Sequence, residues 1–295
     1  MIKKRIKSRM LHNYLRDPSA IAGSFILTLF ILAALLAPWI TPQDPYDLET
    51  LTLEHFLYPP VWIEGGQYPF ILGTDDQGRC ILSTIIYGCR TSLIVGFGVV
   101  LIAGTFGVIM GLLSGYYGGK LDMVMMRLAD TFYSFSTTLM AFLFLGIFGK
   151  GSVLIVIIAI CIADWVKYAR TMRGSVLEVK QAAYIMAAKA TGAGDFRLLM
   201  KHLFPNAVPP IFVIVAVDLA VVIMLEATLS FLGVGVPLNE PSLGMMVAIG
   251  KNYVYAGMWW MVVFPGSALV LLVIGINLFA DWLREELNPK IEKSR

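Results

Sequence analysis

Three apolar runs without a charged residue, residues 20–40, 92–113 and 259–280, constrain this chain more than any other feature. Crossing a hydrocarbon core of about 30 Å takes about 20 helical residues, and each run is that long. With 58% hydrophobic residues, 15% charged residues and a mean hydropathy of +0.75, the chain is too apolar for a soluble globule. An all-α integral membrane protein is expected.

Three further runs are less pure. Residues 121–147 carry Asp122, Arg127 and Asp130 in their early turns, residues 153–168 carry Asp164 and Lys167 at their end, and residues 207–232 carry Asp218 and Glu226. An intramembrane charge is costly, so these side chains must face protein, water or the interface. Counting these runs gives six transmembrane helices.

Basic residues fix the orientation. Lys3, Lys4, Arg5, Lys7, Arg9 and Arg16 precede the first run; Lys167, Arg170, Arg173, Lys180, Lys189, Arg197 and Lys201 surround residues 182–206; Arg284, Lys290, Lys293 and Arg295 follow the last. Six spans put all three groups on one side, which the positive-inside rule makes cytoplasmic together with both termini. The segment between the first two spans is acidic, with Asp44, Asp47, Glu49, Glu54, Glu64, Asp75 and Asp76, and is expected outside. The net charge of +3 therefore reflects topology and does not point to nucleic acid. The first run is too long for a cleavable signal and ends in Ala37-Pro38-Trp39, so it is expected to stay as an anchor.

This gives a basic lead over residues 1–17, an anchor helix over 18–41, an extracytoplasmic segment over 42–91, a transmembrane core over 92–284 and a tail over 285–295. Within the extracytoplasmic segment, Ile81, Leu82, Ile85, Ile86 and Cys89 recur at helical spacing and predict a short amphipathic helix on the membrane surface. Cys80 and Cys89 fall on opposite faces of such a helix, which argues against a disulfide. Residues 238–258 are expected outside as a partly re-entrant or pore-capping segment. Tyr253, Tyr255, Trp259 and Trp260 suit an outer aromatic belt.

Residues 182–206 lie between the fourth and fifth spans. They predict a short Ala-rich helix, a glycine turn at Gly192 to Gly194, a second helix opening at Asp195 and a stop at Pro205. Ala187 and Ala188 offer a face without bulk and Tyr184 one large contact, which fits either a groove on another protein or ordinary helix packing. Arg127 with Asp130, and Asp164 with Lys167, are spaced to pair on one helix face. Asp218 and Glu226 share one face of the fifth span, where they either line a pathway or hold a neighbouring helix. His12, His55 and His202 form no HExxH or other metal-ligand spacing, and no nucleophile elbow is present. A GxxxxGK[ST] loop is also missing, so P-loop ATP hydrolysis belongs to another polypeptide.

Residues 182–206 resemble the EAA loop of bacterial ABC-importer permeases, through Ala187, Ala188, Gly192, His202, Pro205 and Asn206, with Met186 in place of the family's Glu. Gly73-Thr74-Asp75-Asp76-Gln77-Gly78-Arg79 with Ser83, Gly88, Arg90 and Ser92 resembles the peptide and nickel permease signature, with Cys80 and Thr84 departing from it. Further landmarks run in family order, among them Gly115 to Gly119, Tyr168-Ala169-Arg170, Glu226-Ala227 and Pro241-Ser242; Ser136 stands where a proline is usual. The whole is similar to the OppC/DppC-like subunit of dipeptide and oligopeptide importers. That resemblance implies a type I ABC importer permease with a cytoplasmic coupling helix and no cofactor of its own. ATP and Mg would be bound by two P-loop ATPase subunits. A homologous second permease and an extracytoplasmic solute-binding protein would complete the assembly. It also implies that Tyr184, Ala187, Ala188, Gly192 and Pro205 carry coupling to the ATPases. The alternatives are a proton-coupled secondary transporter working through Asp218 and Glu226, a membrane scaffold, and, among importers, a nickel or glutathione permease.

Overall fold

The computed structural model describes residues 13–46, 55–149, 152–237 and 240–287. The basic residues Lys3 to Arg9, the acidic Asp47, Glu49 and Glu54, and the tail from residue 288 onward, with Pro289 and Lys290, lie outside them, as does His12.

The described chain is helical; its only β pairing is a single bridge between Thr74 and Cys80. In order the helices are α1 Pro18–Leu35, α2 Ala37–Ile40, α3 Ile81–Tyr117, α4 Gly119–Tyr133, α5 Thr137–Phe148, α6 Val153–Lys180, α7 Ala183–Ala190, α8 Asp195–Leu198, α9 Phe204–Ala207, α10 Pro209–Phe231, α11 Leu243–Gly250 and α12 Trp260–Glu286. Four of them, α1, α3, α10 and α12, are long and apolar enough to cross a membrane, and a fifth crossing results if α4 and α5 count as one bent span. Helix α6 is not among them because Asp164, Lys167 and Arg170 all fall within its first 18 residues.

Helix α1 starts where Asp17 Oδ1 accepts from the Ser19 amide at 2.9 Å, and Pro18, which has no N–H to waste, opens the first turn. Helix α3 corrects the expectation of a separate surface helix. It runs unbroken for 37 residues, and Ile81, Ile85 and Cys89 are buried against Leu243, Met246, Trp260 and Met261. The amphipathic face is covered by protein rather than by lipid. Trp260 is buried with it, so it does not stand in an aromatic belt, whereas Trp259 and Tyr255 are exposed. Cys80, Cys89 and Cys161 are free thiols.

The expected third span is not straight. Helices α4 and α5 meet at 83°. The break lies at Ser134 to Ser136, where the Ser134 hydroxyl donates to the Asp130 carbonyl at 2.8 Å and Ser136 is extended. A side chain competing for a backbone acceptor loosens the helix here without a proline.

Close approach between helices depends on small residues. Gly107, Gly111 and Gly115 recur every four residues along α3 and face α6. A Cβ on Gly107 would stand 2.7 Å from Tyr168 Cβ, on Gly111 2.8 Å from Met172 Cβ and on Gly115 2.9 Å from Val176 Cβ. The two backbones are therefore in near contact along three turns. Helix α1 meets α12 the same way, with Gly23 against Leu278 and Gly275 against Ile26.

Residues 55–80 form an ordered loop that leads into α3. The Asp75 carboxylate accepts from the Gln77 and Arg79 amides at 2.9 Å and from Arg79 Nε at 2.7 Å, while the Thr74 hydroxyl ties His55 to Tyr58. The next residue, Asp76, accepts from the Tyr253 hydroxyl at 3.3 Å. Burial, followed by the neighbouring Asp75 charge, holds the Asp76 carboxyl above its usual range. A carboxyl whose folded pKa is raised stabilises the fold below its unfolded pKa, and that contribution is lost as pH rises through the folded value. Asp76→Asn, which keeps an acceptor for Tyr253, is expected to raise the melting temperature of the detergent-purified protein at pH 7. The gain should shrink as the pH falls through the folded pKa of Asp76 and be gone well below the unfolded value of about 3.9. A gain that does not change with pH would mean that ionisation of Asp76 is not the cause.

Candidate functional site

The segment between α6 and α10 is built as an exposed helix and turn on a buried root. Ile185 of α7 is 3% exposed and joins Leu198, Leu199 and Leu203 in the core. The other side of α7 faces out, with Tyr184 49% exposed, Ala187 exposed and Ala188 half-buried. Helix α7 ends where the Thr191 amide donates to the Ala187 carbonyl and the Ala193 amide to the Ala188 carbonyl. Between them Gly192 has φ +82°, a left-handed conformation that favours glycine. Tyr184, Ala187, Ala188 and Gly192 thus lie on one short exposed element.

Pro205 lies apart from this element and does not stop the chain. After α8 the residues Leu199–Leu203 form a π-helical turn, closed by the Phe204 amide donating to the Leu199 carbonyl, and the exposed Pro205 sits in the first turn of α9. A proline has no N–H to offer, and the first turn of a new helix asks for none. The expected terminator is therefore a joint between two helical pieces.

The insertion is braced to the membrane helices at its base. The Tyr116 hydroxyl, at the end of α3, donates to Asp195 Oδ1 at 2.5 Å, and Lys180 Nζ donates to the Tyr116 carbonyl at 2.6 Å. About two turns back along α6, the Arg173 guanidinium grips Asp122 through two bonds of 2.6 Å, and the Ser114 hydroxyl bonds to the same carboxylate. Forked pairing of this kind fixes orientation as well as distance. Asp130 pairs with Arg170 of α6 at 2.6 Å and not with Arg127. A tertiary partner has displaced the expected neighbour on its own helix. Sequence reasoning passed over Phe196 and Met200, which are 75% and 49% exposed, and took Met186, 59% exposed, only as a departure. These three sit on α7, α8 and the π-helical turn, and exposed large apolar side chains grouped in this way are typical of contact surfaces.

Asp218 and Glu226 share α10 but serve different neighbours. Asp218 accepts from the Tyr168 hydroxyl at 2.5 Å and pairs with Lys167, which also pairs with Asp164 at 2.6 Å as its spacing predicts. Glu226 is fully buried and accepts from Ser92 of α3 and Ser230, each at 2.8 Å. The first ties α10 to α6 and the second ties it to α3, so both hold neighbouring helices.

Residues 107–293 match the model of the family described as binding-protein-dependent transport system inner membrane component, and residues 8–60 match the N-terminal TM domain of oligopeptide transport permease C. The chain belongs to this permease family. The permease is 36% identical over 278 residues to the dipeptide transport system permease protein DppC of Haemophilus influenzae, covering 94% of this chain and 92% of that one. It is 35% identical over 282 residues to the di/tripeptide transport system permease protein DppC of Pseudomonas aeruginosa, covering 96% and 91%. Among solved structures, an inward facing form of the MetNI methionine ABC transporter aligns with a TM-score of 0.58 at 19% identity, covering 70% of this chain and 98% of that one. A crystal structure of an amino acid ABC transporter with histidines aligns at 0.55 and 15%, covering 69% and 94%. At those identities the likeness concerns the fold alone. The permease is a multi-pass inner membrane subunit of a binding-protein-dependent ABC transporter; it is not the ATPase, and ATP is handled by partner subunits.

Proposed function

We propose that this permease carries dipeptides and oligopeptides inward across the membrane. Six passes, formed by α1, α3, the bent α4–α5 pair, α6, α10 and α12, leave both termini and residues 182–206 in the cytoplasm. The permease pairs with a homologous second permease, docks on two P-loop ATPase subunits and receives solute from an extracytoplasmic binding protein. Residues 92–284 are then the transporting core, with α1 as a separate anchor.

The observation that carries this reading is the exposed α7 and its Gly192 turn, joined to α3 through Tyr116 and Asp195. An ATPase that moves α7 moves α3 and α6 with it, and the helices rock between outward-open and inward-open states. Tyr184, Ala187, Ala188 and Gly192 form the contact, and Pro205 the joint behind it. Peptides are preferred to nickel or glutathione because the relatives of highest similarity described above are named for dipeptides and tripeptides. A proton-coupled mechanism has less support, since Asp218 and Glu226 are engaged by different helices and form no chain.

The test is isolation of the permease from its native membranes in mild detergent, with mass spectrometry of what accompanies it. A second permease and P-loop ATPases should co-purify. Reproducible recovery of the chain alone, under conditions that keep other membrane complexes intact, would overturn the assembly.

A further inference from the structure

Both carboxylates of α4 are engaged by arginines of α6, Asp122 by Arg173 and Asp130 by Arg170. The cations of α4 are thereby left without acids. Among the described residues neither Lys120 nor Arg127 has an ion-pair partner, and both are exposed. Seven residues apart, they stand on one side of α4 at about 10 Å along its axis, close enough for two long side chains to converge on one group. Val124 and Leu128, also exposed, lie beside them. Free cations next to an apolar stripe suit a helix at a membrane surface.

Leu128 also belongs to a pocket of about 380 Å³ between three helices, bordered by Ile102 and Met110 of α3, Leu128 and Phe132 of α4, and Ile158 and Trp165 of α6. Small-molecule sites commonly enclose about 300–1,000 Å³ and place a few polar groups in an apolar wall. This wall carries no charged group and no hydroxyl, and its one thiol, Cys161, is engaged by the Val99 carbonyl at 3.8 Å. From Ile102 to Met110 the pocket follows α3 for about 12 Å, and its end at Met110 and Leu128 is the one nearer the Gly118 turn, just before Lys120. The pocket looks away from α10, because Lys167, which reaches Asp218 of that helix, is nine residues from Ile158 and so half a turn round α6. Ile102, Phe106, Leu128 and Ile158 are exposed, so it opens on the outside of the helix pair.

We infer that α4 and this pocket bind one anionic phospholipid, with the headgroup phosphate held by Lys120 and Arg127 and an acyl chain laid against Phe132 and Trp165. The occupant follows from the two halves together. A wall without polar groups suits hydrocarbon, and unpaired cations toward one end call for a negative charge at the head of that hydrocarbon. That end is also where α3 and α4 turn back, which is where headgroups lie. The inference needs only that the Gly118 turn stand at a membrane face, so it is independent of the solute carried.

The experiment reconstitutes the purified permease complex in phosphatidylcholine vesicles and measures quenching of Trp165 by chain-brominated phosphatidylglycerol or chain-brominated phosphatidylcholine. A Trp165→Phe complex supplies the signal of the other tryptophans for subtraction. Each basic residue near a membrane surface favours an anionic lipid about fivefold, so the two together should favour phosphatidylglycerol about 30-fold at this site. Lys120→Gln combined with Arg127→Gln should bring that ratio below about threefold, and millimolar glycerol phosphate should not displace the lipid. Equal quenching by the two lipids would reduce the pocket to ordinary bilayer contact and overturn the inference. Quenching by neither would mean that protein, such as the second permease, covers the pocket, and overturns it too. So would a double variant that keeps the preference, which would show that these cations do not read the headgroup. Displacement by glycerol phosphate would assign the cations to a soluble phosphate instead and overturn the lipid site.

Discussion

Replacing Gly192 with valine is expected to cut substrate uptake, by a factor of up to about 30, while the permease stays in the membrane at its normal level. No heavy atom lies within 4 Å of where a Cβ would stand, so the change introduces no collision. Its only cost is backbone strain, because φ is +82° and a side chain opposes that conformation by about 1–2 kcal/mol. A penalty of that size shifts the ratio of formed to misplaced turn by a factor of about 5 to 30. Since Asp195, three residues on, carries the bond to Tyr116, a misplaced turn separates α7 from the helix it must move. Gly192→Asn is the control, for asparagine tolerates the left-handed region and should retain most of the uptake. Uptake of a labelled dipeptide, normalised to the permease level on an immunoblot, reads both variants. Unimpaired uptake by Gly192→Val would remove this turn from the coupling mechanism.

The second large effect lies in the membrane. Gly111→Leu drives a side chain into the Ala169 carbonyl and Met172 Cβ; the first is backbone of α6 and the second is bonded directly to it, so neither is a yielding side-chain tip. Overpacking of this kind costs about 1–3 kcal/mol or more, and here relief requires parting α3 from α6 along the Gly107 and Gly115 contacts too. The permease should lose several degrees of melting temperature in detergent and most of its steady-state level in the membrane, with Gly111→Ala intermediate. Gly174→Ala, also on α6 but with open space at its Cβ position, should be neutral or slightly stabilising, since alanine favours a helix over glycine. Equal losses at both positions would show that helix composition, not the α3–α6 contact, sets the cost.

The apolar runs, the insertion and the Asp164–Lys167 pair were all legible in the sequence, because length, breaker residues and helical spacing are local properties. What failed was local signal with a non-local cause. The apolar stripe at Ile81, Ile85 and Cys89 looks the same whether lipid or protein covers it, so nothing in the stripe distinguished a surface helix from the first turns of α3. Asp130 had a plausible partner three residues away and took a different one from α6. The 83° bend arises at serines, which break a helix only when their hydroxyls turn on the backbone. Pro205 was read as a terminator because a proline ends an α-helix, whereas the π-helical turn before it lets the chain start a new one. The Gly107, Gly111 and Gly115 repeat was visible as a four-residue period of small residues and was not used. In the candidate site, the exposed face of α7 followed from its alanines, but Phe196 and Met200 needed the fold to show which side they lie on.

Helix α3 has a mechanical consequence. Its 37 residues make a rod of about 55 Å, with Tyr116 at one end and the turn around Asp75 and Arg79 just beyond the other. A rod without a joint transmits rotation as displacement: tilted by about 5° about its Tyr116 end, it carries the Ile81 end through about 5 Å. A small angular movement imposed at one membrane face therefore arrives at the opposite face as a shift larger than the diameter of a water molecule, without any relay of side chains between them. In the coupling proposed above, the distance from the ATPase side to the opposite membrane face is spanned by a single piece of secondary structure, and its amplification is set by nothing more than its length.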